Sequence, residues 1–561
     1  MASTAIYRSR APPPVLPTNI SISEFLLTYN PDDIPDDKVV LCEFDDPSRS
    51  LTYASVRQLA AQAAAGLIAT LSMKKGDTIC ILGENSVNWA LLAHAVHWAG
   101  GCFCAVNHLA TAYELVHYFD IAEPTAVATS PGNLAKVLQA LDLAPKSFPK
   151  PQIIILEDGT PESSSAGLKF FPSDFLRSDV SPLPPLDLST SDARQVPAAM
   201  CFSSGTSGKP KGVLLSHYGL INHMMCPRAT DPALYNGFHR EVFFPPFPHI
   251  YGIVAAVFAS AYLGNYIVAM KRFDFKAYVQ RCSEIKATIL RTVPATAVML
   301  VKEPWVRDLD LTSVRFIACA GAALQSQVVE QLQQILGGVD VIQGYGMSEV
   351  SISTLRGNWA PMKAGSCGRP FASTSVRVVD DDFNDVGTDA QGEFVVRSAT
   401  MFMGYKKNAK ETESSFKEGW FCTGDIGKVD KDGFFWLTDR KKELIKYKGN
   451  QVPPAEIEDV LLSHPKVKDA AVCAIFDEAD QTEVPMGYVV IEGSVDEAST
   501  KRTLQEINAY VNERVSPYKR LRGGLEKIDE IPKGPTGKVL RRALPARLLA
   551  ESKAAQLKAK L

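Results

Sequence analysis

Several things are scarce in this chain of 561 residues, and each scarcity removes a class of explanation. Net charge is small, −3 from 59 basic and 62 acidic residues, so no global field points to nucleic acid or an anionic membrane surface. The eleven cysteines are odd in number and scattered, with no C-x-x-C. Cys102 and Cys104 form only a C-x-C inside an apolar run, the pattern of reduced, buried thiols in an intracellular protein. None of the nine histidines belongs to an H-E-x-x-H or similar set, which argues against a structural zinc site. Met1 to Thr18 is polar, then proline-rich through Pro12, Pro13 and Pro14, without the apolar region of a signal peptide. The longest apolar stretch, Gly252 to Met270, approaches membrane-spanning length but contains Ser260, Tyr262, Gly264 and Asn265. Leu263-Gly264-Asn265 there predicts a helix end followed by a short buried strand, Tyr266 to Met270.

What is present is an ordinary globular balance, 46% hydrophobic and 22% charged, in a chain long enough for several domains. Short buried strands are expected at Thr78 to Leu82, Thr125 to Thr129, Ile153 to Leu156 and Ala287 to Leu290, with an apolar helix from Asn88 to Trp98. Strand and helix in alternation predict an α/β architecture with mainly parallel sheets. Residues 1–20 read as a flexible leader and residues 159–195, rich in Ser, Pro and Asp, as an irregular surface connection. Val376 to Val379 and Gly392 to Arg397 read as strands of a more antiparallel, β-rich segment. Near Leu437-Thr438-Asp439-Arg440 the chain turns basic, and the stretch from there to about residue 545 reads as a small domain.

Five segments carry chemistry. Ser203-Ser204-Gly205-Thr206-Ser207-Gly208-Lys209-Pro210-Lys211-Gly212 follows apolar Ala198 to Phe202. Its glycines let backbone N–H groups approach an anion, and its hydroxyls and two lysines add donors suited to a triphosphate. It is not a Walker A loop, because Pro210 follows Gly208-Lys209 and Ser203 replaces the first glycine. In Gln343-Gly344-Tyr345-Gly346-Met347-Ser348-Glu349, read as a tight turn, Tyr345 offers a flat face for a purine and Glu349 a carboxylate for Mg²⁺. Trp420-Phe421-Cys422-Thr423-Gly424-Asp425 puts a carboxylate just after a turn, where it suits two ribose hydroxyls. The basic run Asp439 to Gly449 and the late Thr536-Gly537-Lys538 complete the set, each readable alone as a solvated surface.

Taken in order with Ala320-Gly321-Ala322-Ala323, these motifs resemble the adenylate-forming superfamily from about residue 25 to residue 545. That superfamily holds acyl- and aryl-CoA synthetases, peptide-synthetase adenylation domains and beetle luciferases. Gln343 to Glu349 and Tyr447-Lys448-Gly449-Asn450-Gln451-Val452 look closest to the 4-coumarate-CoA ligase-like and fatty-acyl-CoA synthetase branches. The resemblance implies an N-terminal region, residues 21–438, of two α/β subdomains plus a β-rich subdomain. It also implies a small mobile α+β domain at residues 439–545, turning about Asp439, and a tail at residues 546–561. The implied activity is that of an ATP-dependent acyl- or aryl-CoA synthetase: an acid and ATP give acyl-AMP and pyrophosphate, and the acyl group then passes to coenzyme A. The alternatives are a ligase loading a carrier protein in secondary metabolism and a catalytically dead nucleotide-binding regulator.

By similarity, Ser203 to Gly208 with Lys209 and Lys211 cover the β- and γ-phosphates. Ala320, Gly321 and Ala322 with Gln343, Gly344, Tyr345, Gly346 and Met347 enclose the adenine. Ser348 bonds the α-phosphate, Glu349 takes Mg²⁺, and Asp425 and Arg440 hold the ribose. Lys538 reaches the α-phosphate and the acyl carboxylate, while Lys446 and Gln451 contact the AMP moiety as further catalytic residues. His249 gates the acyl site, which Ile250, Tyr251, Cys319, Gly321, Gly344 and Val350 line. Lys448 and Gly449 receive the pantetheine thiol. The chemistry fits, since a carboxylic acid is already ionised near neutral pH and the first step needs charge neutralisation more than a base. Two departures bear on substrate: Leu324 replaces a usual proline, and Cys319 replaces the polar group that meets a ring hydroxyl in coumarate ligases. That change favours an apolar aryl or medium-chain aliphatic acid. The final Ala559-Lys560-Leu561 resembles the S-K-L import signal, so a peroxisomal address and its import receptor are expected, with the cytoplasm as the alternative.

Overall fold

The computed structural model describes residues 6–158, 168–203, 210–320, 324, 326–354, 363, 365–441, 443–447, 450–477, 482–491, 497–515, 517–534 and 537–546. The first large sheet runs Gly404–Tyr405, Lys211–Ser216, Pro197–Ser203, Cys102–Val106, Thr78–Leu82, Ala126–Thr129, Gln152–Ile155 and Lys169–Phe170. Its strands are parallel from Pro197–Ser203 outward to Lys169–Phe170, and antiparallel at the other edge. Every residue of Thr78–Leu82 and Cys102–Val106 is buried, as expected for strands covered by helices on both faces. The Val87–Trp98 helix, buried along its whole length and N-capped by Ser86, covers one face.

A second sheet joins Val39–Glu43, Tyr266–Ala269 and Arg240–Phe243 in parallel, with Ser50–Thr52 antiparallel at the edge. A third joins Ile289–Thr292, Phe316–Cys319 and Asp340–Met347 in parallel. Asp340–Met347 then continues into an antiparallel ladder with Val350–Thr354. A β-rich unit follows, in which Thr374–Val379, Gly392–Ser398, Trp420–Val429 and Phe435–Arg440 pair antiparallel in succession. The last unit packs the Pro454–Leu462 and Glu497–Arg514 helices with the long Val467–Asp477/Thr482–Ile491 hairpin around its own core. The α/β expectation and the division into two α/β parts, a β-rich part and a small α+β unit describe these sheets well.

The apolar stretch that approached membrane length is broken by its own chemistry. It divides into a short helix at Ile250–Gly252, a π-helix at Ile253–Phe258, a helix at Ala259–Leu263 and the strand Tyr266–Ala269. Gly264, at φ 73°, ends the helical part in the left-handed region that glycine adopts without a Cβ penalty. No described helix is long and apolar enough to cross a membrane. All eleven cysteines are free thiols.

Two sequence readings need correction. The leader is paired: Tyr7–Arg8 adds a strand antiparallel to Thr374–Val379, and the Tyr7 ring meets Phe435 edge-on at 6.4 Å. A polar, proline-rich segment gives no local sign of such a partner more than 350 positions away. The described part of the 159–195 connection is likewise anchored. Phe171 and Phe175 are fully buried, and Gly66 admits the Phe175 backbone so closely that an added Cβ would lie 2.0 Å from its carbonyl oxygen.

Candidate active site

In an open α/β sheet the free backbone groups and loops gather beyond the carboxyl ends of parallel strands, where ligands bind. Here a cavity of about 890 Å³ opens at that place. Its wall includes Ser203 at the end of Pro197–Ser203, Ala105 and Asn107 at the end of Cys102–Val106, and Ala320 just after Phe316–Cys319. Pro248 and His249 follow Arg240–Phe243, and Gly344 lies beyond the parallel part of Asp340–Met347. Arg440, Lys538 and Arg542 close it from the C-terminal side.

The Gly344-Tyr345-Gly346-Met347 segment is strand, and only Ser348 and Glu349 turn, which corrects the reading of the whole motif as a tight turn. Gly344 faces open space, so a side chain there would project into the cavity. The Tyr345 hydroxyl donates to Asp425 Oδ2 at 2.8 Å, and Arg440 Nε meets the other oxygen at 3.0 Å. Asp425 lies within the Trp420–Val429 strand, not after a turn. Between the rungs Val395↔Cys422 and Glu393↔Ile426 the register shifts, and Gly424 takes φ 70°. A bulge of this kind re-aims a side chain, and here it turns Asp425 onto Tyr345 and Arg440. Burial raises the Asp425 carboxyl above its usual range, opposed by Arg440 and the Tyr345 hydroxyl.

Glu349 is buried and accepts a hydrogen bond from the Tyr405 hydroxyl at 2.8 Å. Burial pushes its carboxyl up, with Tyr405, a backbone bond and the more distant Lys211 and Arg440 acting against it. No group of three or more His, Cys, Asp or Glu gathers as a metal cluster among the described residues. A single incompletely neutralised carboxylate suits Mg²⁺, which keeps its waters and takes most other ligands from phosphates.

The Lys538 ammonium lines the cavity with no hydrogen bond or ion pair among the described residues. Its pKa is lowered by burial first and by Arg440 next. Glu443 and Asp425 act against that lowering, and Lys538 and Arg440 together give this wall of the cavity a basic character suited to an anion. Lys211 lines the same cavity but is paired with Glu411 and lies over the Tyr405 ring at 4.7 Å. Gln343 accepts a bond from the Leu324 N–H at 2.8 Å, bracing the strand behind Gly344 instead of facing ligand.

His249, half-buried on the cavity wall, caps the short Ile250–Gly252 helix, its Nδ1 accepting from Tyr251 N–H at 3.2 Å. Burial lowers its pKa to about 4, so the ring is neutral at physiological pH. Ile250, Tyr251, Val254, Ala255 and Ala259 continue the wall along the π-helix. Cys319 and Val350 are buried behind it, and burial pushes the Cys319 thiol up to about 12.

Not every expected residue converges. Lys446 faces Gln451 across the small Ile445–Tyr447/Asn450–Val452 ladder, and Lys446 is exposed and absent from the cavity wall. Asp439, the expected hinge, pairs with Ile426 inside a ladder that continues to Asp425↔Arg440. Ser204 to Lys209, Gly321, Ala322, Lys448 and Gly449 lie outside the described residues. Sequence reading missed Tyr405, Thr423, Glu241, Arg291 and Asn265. Only Thr423 lies within a motif, where it was given no role, and its hydroxyl bonds Phe394 O at 2.8 Å while accepting from Asp425 N–H at 3.0 Å.

Comparison with known proteins agrees with this geometry. Residues 29–406 match the AMP-binding enzyme family and residues 456–538 its C-terminal domain. The chain is 31% identical over 560 residues to 4-coumarate–CoA ligase CCL1 of Humulus lupulus, covering 97% of each. It is 32% identical over 486 residues to probable 4-coumarate–CoA ligase 2 of Dictyostelium discoideum, 84% of this chain and 86% of that one. The anthranilate CoA ligase AuaEII in complex with anthranoyl-AMP shares the fold, with a TM-score of 0.82 at 23% identity, covering 97% of this chain and 99% of that one. With its motifs in order, its cavity at the carboxyl ends of the strands and both family domains matched, the chain belongs to the adenylate-forming AMP-binding enzymes.

Proposed function

We infer that the cavity carries out the family's two half-reactions: the chain is an ATP-dependent acyl- or aryl-CoA synthetase, an AMP-forming acid–thiol ligase. The observation that carries the residue roles is Lys538, a desolvated ammonium with no hydrogen bond or ion pair among the described residues, in one cavity with Arg440 and the Asp425–Tyr345 pair. The acid's carboxylate oxygen attacks the α-phosphorus of ATP, pyrophosphate leaves, and acyl-AMP forms. Lys538 draws the two anions together and offsets the charge that develops at the α-phosphate. Asp425 and Arg440 hold the ribose, Gly344 leaves room for the adenine, and Ser348 bonds the α-phosphate. Glu349 would hold Mg²⁺, which supplies charge neutralisation at the phosphates. His249, kept neutral by burial, orients the acid as a gate and transfers no proton.

In the second half-reaction the coenzyme A sulfur attacks the acyl carbonyl, the C–O bond to AMP breaks, and the thioester and AMP result. For that step the C-terminal unit withdraws Lys538 and presents Lys448 and Gly449 to the thiol. Free coenzyme A is the acceptor proposed, with a phosphopantetheinylated carrier protein as the rival. The final Ala559-Lys560-Leu561 supports a peroxisomal address read by an import receptor.

The test is acid-dependent pyrophosphate release across fatty, aromatic and branched acids, followed by addition of coenzyme A or a loaded carrier. Thioester formed with free coenzyme A supports the reading. Product only on the carrier replaces the acceptor, and no acid-dependent pyrophosphate release with any acid refutes the ligase.

A further inference from the structure

Beyond His249 the cavity wall is not apolar. It reaches the seam between the second and third sheets, where Thr288 N–H bonds Arg240 O at 2.8 Å. Glu241, on Arg240–Phe243, and Arg291, on Ile289–Thr292, bridge that seam. Arg291 grips the carboxylate through Nε and through a second nitrogen at 3.2 Å. Its remaining terminal nitrogen donates to the Tyr251 hydroxyl at 3.1 Å. Asn265 Nδ2 donates to Glu241 Oε1 at 3.0 Å. Glu241 is fully buried and Asn265 is 4% exposed. Arg291, Tyr251 and Asn265 all line the cavity.

Hydrogen-bond accounting leaves a specific remainder. A carboxylate only accepts, so Glu241 takes the Asn265 Nδ2, and Oδ1 is left buried with no hydrogen-bond partner among the described residues. The Tyr251 oxygen already accepts from Arg291, so its proton is the one to be given away. Arg291 is charge-compensated by Glu241. A second carboxylate on the ligand would therefore be buried without net compensation, which is costly. A buried ion pair is weak evidence for stability, since well-packed apolar residues serve as well, and its place on a ligand wall points to selection.

We propose that Asn265 is a specificity-determining residue, its amide oxygen accepting a hydrogen bond from an uncharged donor–acceptor group, a hydroxyl or an amide, at the far end of the acid. Tyr251 donates to the same group, and the Glu241–Arg291 pair holds both in place. This rests on the synthetase reading and revises the apolar acid expected from Cys319: the polar partner is supplied from another wall.

The test uses the full chain and pyrophosphate release. The probes are octanoic acid, its ω-hydroxy derivative and the matching diacid, and an arylpropanoic acid with and without a ring hydroxyl. In at least one pair the hydroxylated acid should lead in kcat/KM by about tenfold or more, because a polar site left unpaired rejects the plain analogue. The diacid should be the poorest of its set. Asn265→Leu should cut the preference below about threefold by slowing the hydroxylated acid alone, with KM for ATP unchanged. Should Asn265→Leu fold poorly, the volume-matched pair Glu241→Leu/Arg291→Met replaces it with the same expected loss. Equal rates for plain and hydroxylated acids, a diacid that leads, or a preference untouched by both variants overturns the proposal while the ligase stands. No turnover with any acid removes the ligase reading and this proposal with it.

Discussion

At the nucleotide end the cavity wall waits for charge. Lys538 has no hydrogen bond or ion pair among the described residues, Glu349 is buried with a raised pKa, and Arg440 shares Asp425 with Tyr345. At the acyl end the charges are already answered: Arg291 and Glu241 close on each other, and what is left over is one amide oxygen and one phenolic proton. On the proposed function the first arrangement suits ligands whose charge never varies, a triphosphate and a carboxylate. The second is built to discriminate, since neutral hydrogen bonds leave a wrong ligand with an unpaired buried group. Electrostatics at one end drives the chemistry, and satisfaction of polar groups at the other chooses what undergoes it.

The sharpest way to break that contrast is to remove charge at the nucleotide end. Lys538→Ala should lower adenylation by about a hundredfold or more, roughly 2.7 kcal/mol, while thioester formation from supplied acyl-AMP survives. A loss below about tenfold would return the contrast to a matter of degree. Gly449→Leu should slow the thioester step by a comparable factor yet leave acid-dependent pyrophosphate exchange largely intact, as measured by the two half-reactions separately. Tyr345→Phe leaves Asp425 buried with one partner fewer and should raise KM for ATP about tenfold, near 1–2 kcal/mol, with KM for the acid unchanged.

Two smaller effects are read from pH. Burial and Arg440 lower the Lys538 pKa, so in the free enzyme its proton leaves at a lower pH than from a solvated lysine. The charged form is the active one, so kcat/KM should fall on the alkaline side below that value. Lys538→Arg, at lower overall rate, should carry the limb upward, whereas an unmoved limb would assign it elsewhere. His249, with a pKa of about 4, changes no charge between about pH 6 and 8. His249→Phe should therefore alter KM for the acid without altering the shape of the profile in that window.

How much of this was legible follows the same division. The nucleotide end is written in contiguous motifs, because backbone N–H groups, glycines and a capping carboxylate act together only when they are neighbours in the chain. What the motifs hid was local geometry: Thr423-Gly424-Asp425 suggests a turn by composition, and only pairing with Gly392–Ser398 shows it to be a bulge in a strand. The acyl end had no motif to find. Glu241 follows Arg240 in one short strand and Arg291 sits in another, 50 positions apart with no shared pattern, and Asn265 reads as the punctuation after a helix. Individual strands such as Thr78–Leu82 stood out by their periodicity. The pairing of Tyr7–Arg8 with Thr374–Val379 is non-local, and nothing in the leader's own composition announces it.

The rung between Asp425 and Arg440 is the last of its ladder, and the chain is pinned once more just beyond it. Lys441 N–H bonds Gly424 O at 2.8 Å, and its ammonium meets Asp381 at 2.8 Å and Glu393 at 3.1 Å. In the domain alternation proposed above, an axis at Asp439 would have to break both fastenings, whereas one downstream of Lys441 would keep them. Placed there, the axle leaves the sugar clasp on the stationary side of the machine. Lys538 would then travel away with the moving part, and the adenylate would stay seated while its second reactant is brought in. On that proposal the intermediate would never be handed from one site to another; the walls would be exchanged around it.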